Sequence, residues 1–364
     1  MSRIRDALVV GGGPAGLAFA AAAAGRGLDV TVLERREGPV DKACGEGLLP
    51  AGVRVLDRLG ASALLPAGDV SPIREIRWIE RDGAEVRVAL PAPGGLGIRR
   101  TALSAALASR ARAAGAEIVE GAEAVAHGRG RDQAWAEAAG RTWTARVLVA
   151  ADGLASPIRR REGLDGRARG PARLGVRRHF ALRPWSDAVE VHFGDRAEAY
   201  VTPVGALRVG VAFLVEVGGE PPRFDDLLHR FPRLAARLAG APPDSAPRGA
   251  GPFPRTSSAR TADRLVLLGD AAGYLDAITG DGLPIALGCA LDLAGILPEA
   301  LARGATRRSL ARYERAWRRR WRPYALFTRL VLGLARRPAL RRRVVALAAG
   351  RSAALERLVA AAVG

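Results

Sequence analysis

Near its N-terminus the chain reads Ala7-Leu8-Val9-Val10-Gly11-Gly12-Gly13-Pro14-Ala15-Gly16, and one helix further on Val30-Thr31-Val32-Leu33-Glu34-Arg35. An apolar strand, a G-x-G-x-x-G turn, an Ala-rich helix and a second strand ending in an acid make a βαβ unit suited to an ADP moiety. Gly11 permits the tight turn, Gly13 lets the backbone approach a pyrophosphate, and Gly16 lets helix and strand pack closely. The helix start adds unpaired N–H groups and the positive end of a dipole. Glu34 falls about 20 residues beyond the glycines, where an acid accepts ribose hydroxyls. Taken alone, it also reads as a solvated strand-end carboxylate. The glycines by themselves are a weak signal; the flanking strand, helix and acid make them a dinucleotide site.

The 364 residues suffice for about two domains sharing a substantial core, and 49% hydrophobic residues describe a soluble globular protein. The first strand begins within the opening residues, so no signal peptide is expected. No uncharged apolar run of about 18 residues suggests a membrane span. Two cysteines, Cys44 and Cys289, make no disulfide framework, and a cytoplasmic setting is expected. Lys42 is the only lysine, so arginine supplies 55 of the 56 Lys and Arg residues behind the net charge of +19. That bias toward Arg weakens a nucleic-acid reading, and no aromatic stacking platform interleaves with the basic residues. From Arg303 to Arg351 sixteen arginines face one acid, Glu314. Such a flank suits an anionic membrane surface or an acidic partner. A solvated helix face with snorkelling stems is the plainer reading.

No internal repeat is visible. Ile98 to Gly115 reads as a helix with Arg100 near its start and Leu103 and Leu107 on one face. Ala116 to Val125 reads as a strand pair about Gly121, and Trp135 to Thr144 as a hairpin. Arg146 to Ala151 is a buried parallel strand ending at Asp152-Gly153. Arg264 to Leu268 is another, followed by Gly269-Asp270 and a helix. Residues 71–97 and 172–261 break the pattern, and the second alternates in strand fashion, as in Val189-Glu190-Val191-His192-Phe193. The expectation is an α/β protein whose Rossmann-like nucleotide domain (1–70, 98–171 and 262–310) is interrupted by a β-sheet substrate domain. A helical C-terminal tail, 311–364, follows. In that tail Trp317, Trp321, Tyr324 and Phe327 are spaced for one apolar, core-packing side. No Cys/His cluster has metal-ligand spacing, and no metal is expected.

The three glycine–acid turns, in this order and spacing, resemble those of FAD-dependent oxidoreductases of the aromatic-hydroxylase superfamily, with a glutathione-reductase-type FAD domain. By that resemblance Gly11, Gly13, Gly16 and Glu34 hold the ADP half of FAD, and Ala15, Arg35 and Val125 also contact the cofactor. Arg100 matches an arginine that steadies the cofactor, and Asp152 and Gly153 match an Asp-Gly motif near the pyrophosphate. Gly269 and Asp270 serve the ribityl chain, while Gly280 and Gly282 line the flavin ring. The loop Asp41-Lys42-Ala43-Cys44-Gly45-Glu46-Gly47-Leu48 is similar to the Cys-Gly loop of geranylgeranyl reductase-like flavoproteins. Gly273 agrees, since it stands where hydroxylases carry His. Ala277 departs from both groups, which commonly have Pro there.

The resemblance implies hydride supply by NAD(P)H, which must bind transiently because no second nucleotide fingerprint is present. Reduced flavin then either activates dioxygen or passes hydride to a carbon–carbon double bond. Cys44 and Glu46 are the catalytic candidates. The thiol reads equally as a small buried hydrophobe, and the carboxylate equally as a tie within its loop. Cys289 reads as core. His192 and Tyr200 are candidates for orienting a substrate, with a satisfied sheet residue as the plainer reading of each. The first expectation is an NAD(P)H-driven monooxygenase of a lipophilic aromatic or polyketide-like metabolite. The second is a reductase of double bonds in an isoprenoid or other lipophilic substrate. A flavin-bound, membrane-associated binding protein without turnover ranks below both.

Overall fold

The computed structural model describes residues 3–168, 170–218 and 222–349. β1 (Arg5–Val10), α1 (Pro14–Ala24) and β2 (Val30–Leu33) form the opening βαβ unit, and β3 (Gly47–Leu48) leads into α2 (Pro50–Leu59). β4 (Val70–Ile73), β5 (Glu75–Ile79), β6 (Glu85–Ala89) and β7 (Gly95–Ile98) leave that unit, and α3 (Arg100–Ala113) and β8 (Glu117–Val119) return to it. β9 (Ala126–Arg129), β10 (Ala134–Ala138), β11 (Arg141–Ala150) and α4 (Pro157–Arg161) come next. A second excursion holds β12 (Arg173–Ala181), β13 (Ala188–Phe193), β14 (Ala197–Pro203), β15 (Arg208–Glu216), α5 (Phe224–His229), α6 (Pro232–Leu238) and β16 (Arg248–Phe253). β17 (Arg255–Thr256), β18 (Thr261–Ala262), β19 (Leu265–Leu267) and β20 (Gly273–Tyr274) lead back, before α7 (Gly282–Ala302), α8 (Ala311–Ala335) and α9 (Pro338–Ala349).

The first sheet runs β18-β19-β11-β1-β2-β8, with β10 and β9 branching from β11. β19, β11, β1, β2 and β8 are parallel. Ala7 to Val10 are buried on both faces, as a parallel strand covered by helices requires. β1 lies between β2 and β11, so the connections diverge at its carboxyl end. That is the crevice where open α/β sheets bind ligands. Ten of the eleven residues of α1 are buried, because α3 and α7 pack on it as well as the sheet. α7 is long and apolar enough to cross a membrane by composition, yet it is seated against α1, α2 and α8.

The second sheet runs β16-β12-β15-β14-β13-β5-β6. Strand alternation sends Ala199, Val201, Val211 and Phe213 to an outer face covered by Phe224, Leu227 and Phe231. Val191, Tyr200, Ala212 and Leu214 point inward, toward Tyr274, Ile278 and the end of α8. β3, β7 and β4 make a small sheet of their own.

The helix expected over Ile98–Gly115 is α3, and the hairpin before Arg146 is β10–β11. The strand pair expected over Ala116–Val125 is a correction: only β8 is a strand, and it joins β2 in parallel. Beyond Gly121, Ala122 N–H donates to Glu34 O at 2.8 Å and Val125 N–H to Glu137 O at 2.9 Å. The returning limb is thereby spent on β2 and β10. The tail is helical through Ala349, and residues 350–364 lie outside the described residues. Arg341 pins α9 by donating to both Glu80 oxygens, at 2.5 and 3.0 Å.

Candidate active site

The first glycine turn is built by backbone constraints. Gly11 has φ +110°, and a Cβ there would lie 2.3 Å from Ala151 O. A Cβ on Gly16 would lie 2.1 Å from Gly11 O, whereas one on Gly13 would meet nothing within 4 Å. Helix α1 starts at this open position without a side-chain cap, leaving its first N–H groups for an anion. Glu34 is buried at the end of β2; its Oε2 accepts from Gly12 N–H at 2.7 Å and its Oε1 from Arg36 N–H at 3.0 Å. Arg35 beside it is exposed.

The second and third turns close on the first. A Cβ on Gly269 (φ +62°) would lie 2.8 Å from the Cβ of Ala15, so this turn rests on the start of α1. Lys42 Nζ donates to Asp270 Oδ2 at 2.9 Å. Burial works against the Asp270 anion, but Lys42, with Arg100 and Arg159 further off, holds its carboxyl below the usual range. Arg100 begins α3, and its guanidinium has no hydrogen-bond partner among the described residues, with Nε buried. A buried cation without an acceptor beside a phosphate-type turn is a vacancy for an anion's oxygens. Asp152 is committed elsewhere: it accepts from Ser156 Oγ at 2.7 Å and Ile158 N–H at 3.2 Å, and burial pushes its carboxyl up. It shapes the turn that brings Gly153 (φ +87°) under Lys42.

The loop carrying Cys44 is clamped between the two sheets. Glu46, with φ +58° and almost no exposure, turns the chain. Its N–H donates to Cys44 Sγ at 3.4 Å, and its Oε1 accepts from Arg100 N–H at 2.8 Å and from Arg99 at 3.3 Å. Its Oε2 accepts from His179 Nε2 at 2.5 Å. Burial opposes this anion, but His179, Arg177 and Arg99 outweigh it and hold the carboxyl low. Burial, with Arg177 and Arg99 beside it, keeps the His179 imidazole below its ordinary value despite Glu46. His179 Nδ1 then accepts from Arg177 at 2.9 Å or Ser245 Oγ at 2.8 Å. Arg177 also pairs with Asp41, which takes a further bond from Arg248 at 2.6 Å. Cys44 is half-buried, and burial pushes the Tyr274 phenol well up.

β14 faces these loops with every second residue. Thr202 Oγ1 donates to Gly45 O at 2.8 Å and Tyr200 OH to Ile278 O at 3.0 Å. Glu198 pairs with Arg173, whose other nitrogen donates to Asp276 Oδ1 at 3.0 Å. Burial raises Glu198 to about 7, with Asp276 adding to the effect against Arg173. Asp281, before α7, is buried with Oδ2 unpartnered, and burial raises it to about 7. Gly273 (φ +145°) and Gly282 are fixed by packing: a Cβ would lie 3.3 Å from the Trp321 ring on the first and 2.7 Å from the Tyr274 ring on the second. Gly280 turns the loop at φ +75°. Cys289 is buried in α7 and pushed up to about 12 by that burial.

Direct contacts thus join Glu34 to the first turn, Gly269 to Ala15, and Lys42 to Asp270 and Gly153, while Tyr200 is buried with its hydroxyl on Ile278 O. Two expectations are corrected. Val191, not His192, lies opposite Tyr200, so His192 points to the outer face, where its Nε2 meets Glu190 at 3.1 Å. Val125 is 62% exposed, and both its backbone groups are engaged, by Glu137 O and by Arg161. Of the two readings of Glu46 the geometry fits the tie, its carboxylate joining the Cys44 loop to Arg99, Arg100 and His179. Sequence reasoning missed Arg99, Arg177, His179, Thr202 and Asp281. Of these only Asp281, inside a turn already singled out, carried a local signal.

The family described as "FAD binding domain" matches residues 5–324. Menaquinone reductase of Mycobacterium tuberculosis is 38% identical over 165 residues, covering 43% of this chain and 40% of the relative, so that match spans two fifths of the relative's length. Digeranylgeranylglycerophospholipid reductase 1 of Methanopyrus kandleri is 29% identical over 350 residues, covering 87% of each chain. Among solved structures, a geranylgeranyl bacteriochlorophyll reductase-like protein of Thermoplasma acidophilum superposes with TM-score 0.83 at 19% identity, covering 100% of this chain and 96% of that one. A flavin-dependent brominase variant gives 0.83 at 17% identity, covering 98% and 94%. These two are likenesses of fold.

Proposed function

The chain belongs to the FAD-binding-domain family of flavoprotein oxidoreductases, with FAD as cofactor, and from that premise we propose that it reduces carbon–carbon double bonds in an isoprenoid lipid, with NAD(P)H as hydride donor. The observation that carries the reading is likeness over nearly the whole chain to a digeranylgeranylglycerophospholipid reductase. A menaquinone reductase matched over part of the chain points the same way. The order of the two expectations drawn from sequence is thereby reversed, and monooxygenation becomes the second reading.

Bound flavin would supply hydride transfer to one alkene carbon. The chain's part is to hold, orient and exclude water. We place the diphosphate over Gly13 and the start of α1, with Glu34 on the adenosine ribose. The unpartnered Arg100 and the Lys42–Asp270 pair face the middle of the cofactor. Val191, Leu214 and Ile278, buried together with Val331 packed against them, make the inner side of the second sheet apolar, which accords with a hydrocarbon substrate. Cys44 Sγ serves as the proton source for the second alkene carbon, and Glu46 positions it through its own N–H.

Incubation with NADPH and a polyprenyl lipid under labelled dioxygen separates the two readings. Gain of one hydrogen pair per double bond, with no label, is the expected result. A product carrying labelled oxygen overturns it.

A further inference from the structure

Helix α8 has two faces with different tasks. Inward, Tyr324 OH donates to Asp276 O at 3.1 Å and Thr328 Oγ1 lies 3.3 Å from Thr279 Oγ1. Val331, Leu332 and Ala335 pack beside Tyr200 and Ile278, so this side joins the apolar cluster of the second sheet. Outward, Arg315, Arg319, Arg322 and Arg329 are all exposed, as is Arg337 just past the helix, and none has an acidic partner among the described residues. By contrast, Arg312, Arg318, Arg320 and Arg336 on the flanks pair with Glu299, Glu314, Asp292 and Glu216. From Arg315 to Arg329 the unpaired row spans about 21 Å of helix. Beside its C-terminal member stand Leu326 and Leu330, 63% and 61% exposed and one turn apart.

Water is a poor environment for both features. Aligned cations repel one another, and two bare leucines on one turn gain nothing from solvent. An anionic lipid surface answers both, with phosphates for the guanidinium groups and acyl chains for the leucines. Nucleic acid would answer only the charge, since the exposed positions of this face carry no aromatic side chain to stack on a base. We propose that the outer face of α8 seats the protein on an anionic membrane, with Leu326 and Leu330 inserted below the headgroups. The inner face of the same helix packs on the apolar cluster of the second sheet, so lipid drawn from that membrane would enter beside it. This last clause rests on the isoprenoid reading; the membrane contact itself does not.

The test is co-sedimentation of the holoprotein with phosphatidylcholine vesicles, with and without phosphatidylglycerol, at low and high salt. Binding should require phosphatidylglycerol and weaken with salt. Arg322→Glu with Arg329→Glu should lower the partition coefficient at least about tenfold. Leu326→Ser with Leu330→Ser should lower it at every salt concentration. Both variants should keep their visible flavin spectrum and NADPH oxidation with a soluble acceptor. No sedimentation of the full chain, equal binding to both vesicle types, an unchanged partition in either variant, or preferred capture of duplex DNA overturns the proposal. Vesicle binding without reduction of any polyprenyl lipid upholds the surface and fells the substrate reading. Reduction of detergent-dispersed lipid without vesicle binding does the reverse.

Discussion

Gly13 and Gly16 are three residues apart and carry opposite constraints. Gly16 is held by the fold, since its Cβ would strike Gly11 O. Gly13 faces open space in an ordinary extended conformation, φ −73° and ψ 172°, at the N-cap of α1. Gly13→Ser should therefore leave the apoprotein as stable as before, because serine is a favourable N-cap. The same hydroxymethyl group should weaken FAD binding about tenfold or more, read by titration of the apoprotein; unchanged affinity would mean the diphosphate lies elsewhere. Asp281 carries a pH-dependent cost. It keeps its proton up to about pH 7 in the fold but only to about 3.8 when unfolded. The folded state thus binds more protons across that window, and stability falls as pH rises through it. Asp281→Asn should flatten this slope, stabilising the apoprotein above pH 7 by at most about 4 kcal/mol and changing little below pH 4. Equal slopes in urea-denaturation series would refute it. The glycines and Glu34 were legible in the sequence because their constraints act within one turn or one βαβ unit. The partners of Glu46 were not, since His179 is 133 residues away.

Among elements, register decided what alternation left open. His192 and Tyr200 each sit on a strand with a clear two-residue period, but the sequence does not say which residues stand opposite. Pairing of Val191 with Tyr200 sends one candidate inward and the other out. The same alternation makes β12 and β14 docking strands, with Arg173, Arg177 and His179 on one and Glu198, Tyr200 and Thr202 on the other. Buried ionic joints of this kind are costly to break from one side only. Glu46→Ala would leave Arg99, Arg177 and His179 around an empty place and should lower unfolding free energy by about 3–5 kcal/mol. Glu46→Gln, which keeps the hydrogen-bond acceptor, should cost less. Wild-type stability of the alanine variant would show that the joint contributes nothing.

At the scale of the molecule, the interrupted architecture was legible because each return to the first sheet is announced by an apolar strand and a glycine–acid turn. The apolar cluster inside the second sheet was not, because it is assembled from three distant segments, β13–β15, the Ala277–Ile278 loop and the end of α8. The relatives spanning most of the chain are named for reducing lipids. The measurement that bears most directly on this reading is anaerobic. The holoenzyme is reduced with one equivalent of NADPH and then mixed with a polyprenyl lipid while its visible spectrum is followed. Return of the oxidised flavin absorbance, with one saturated bond in the lipid per flavin, is the expected result. A spectrum that stays bleached until dioxygen is admitted, followed by an oxygenated product, would contradict it.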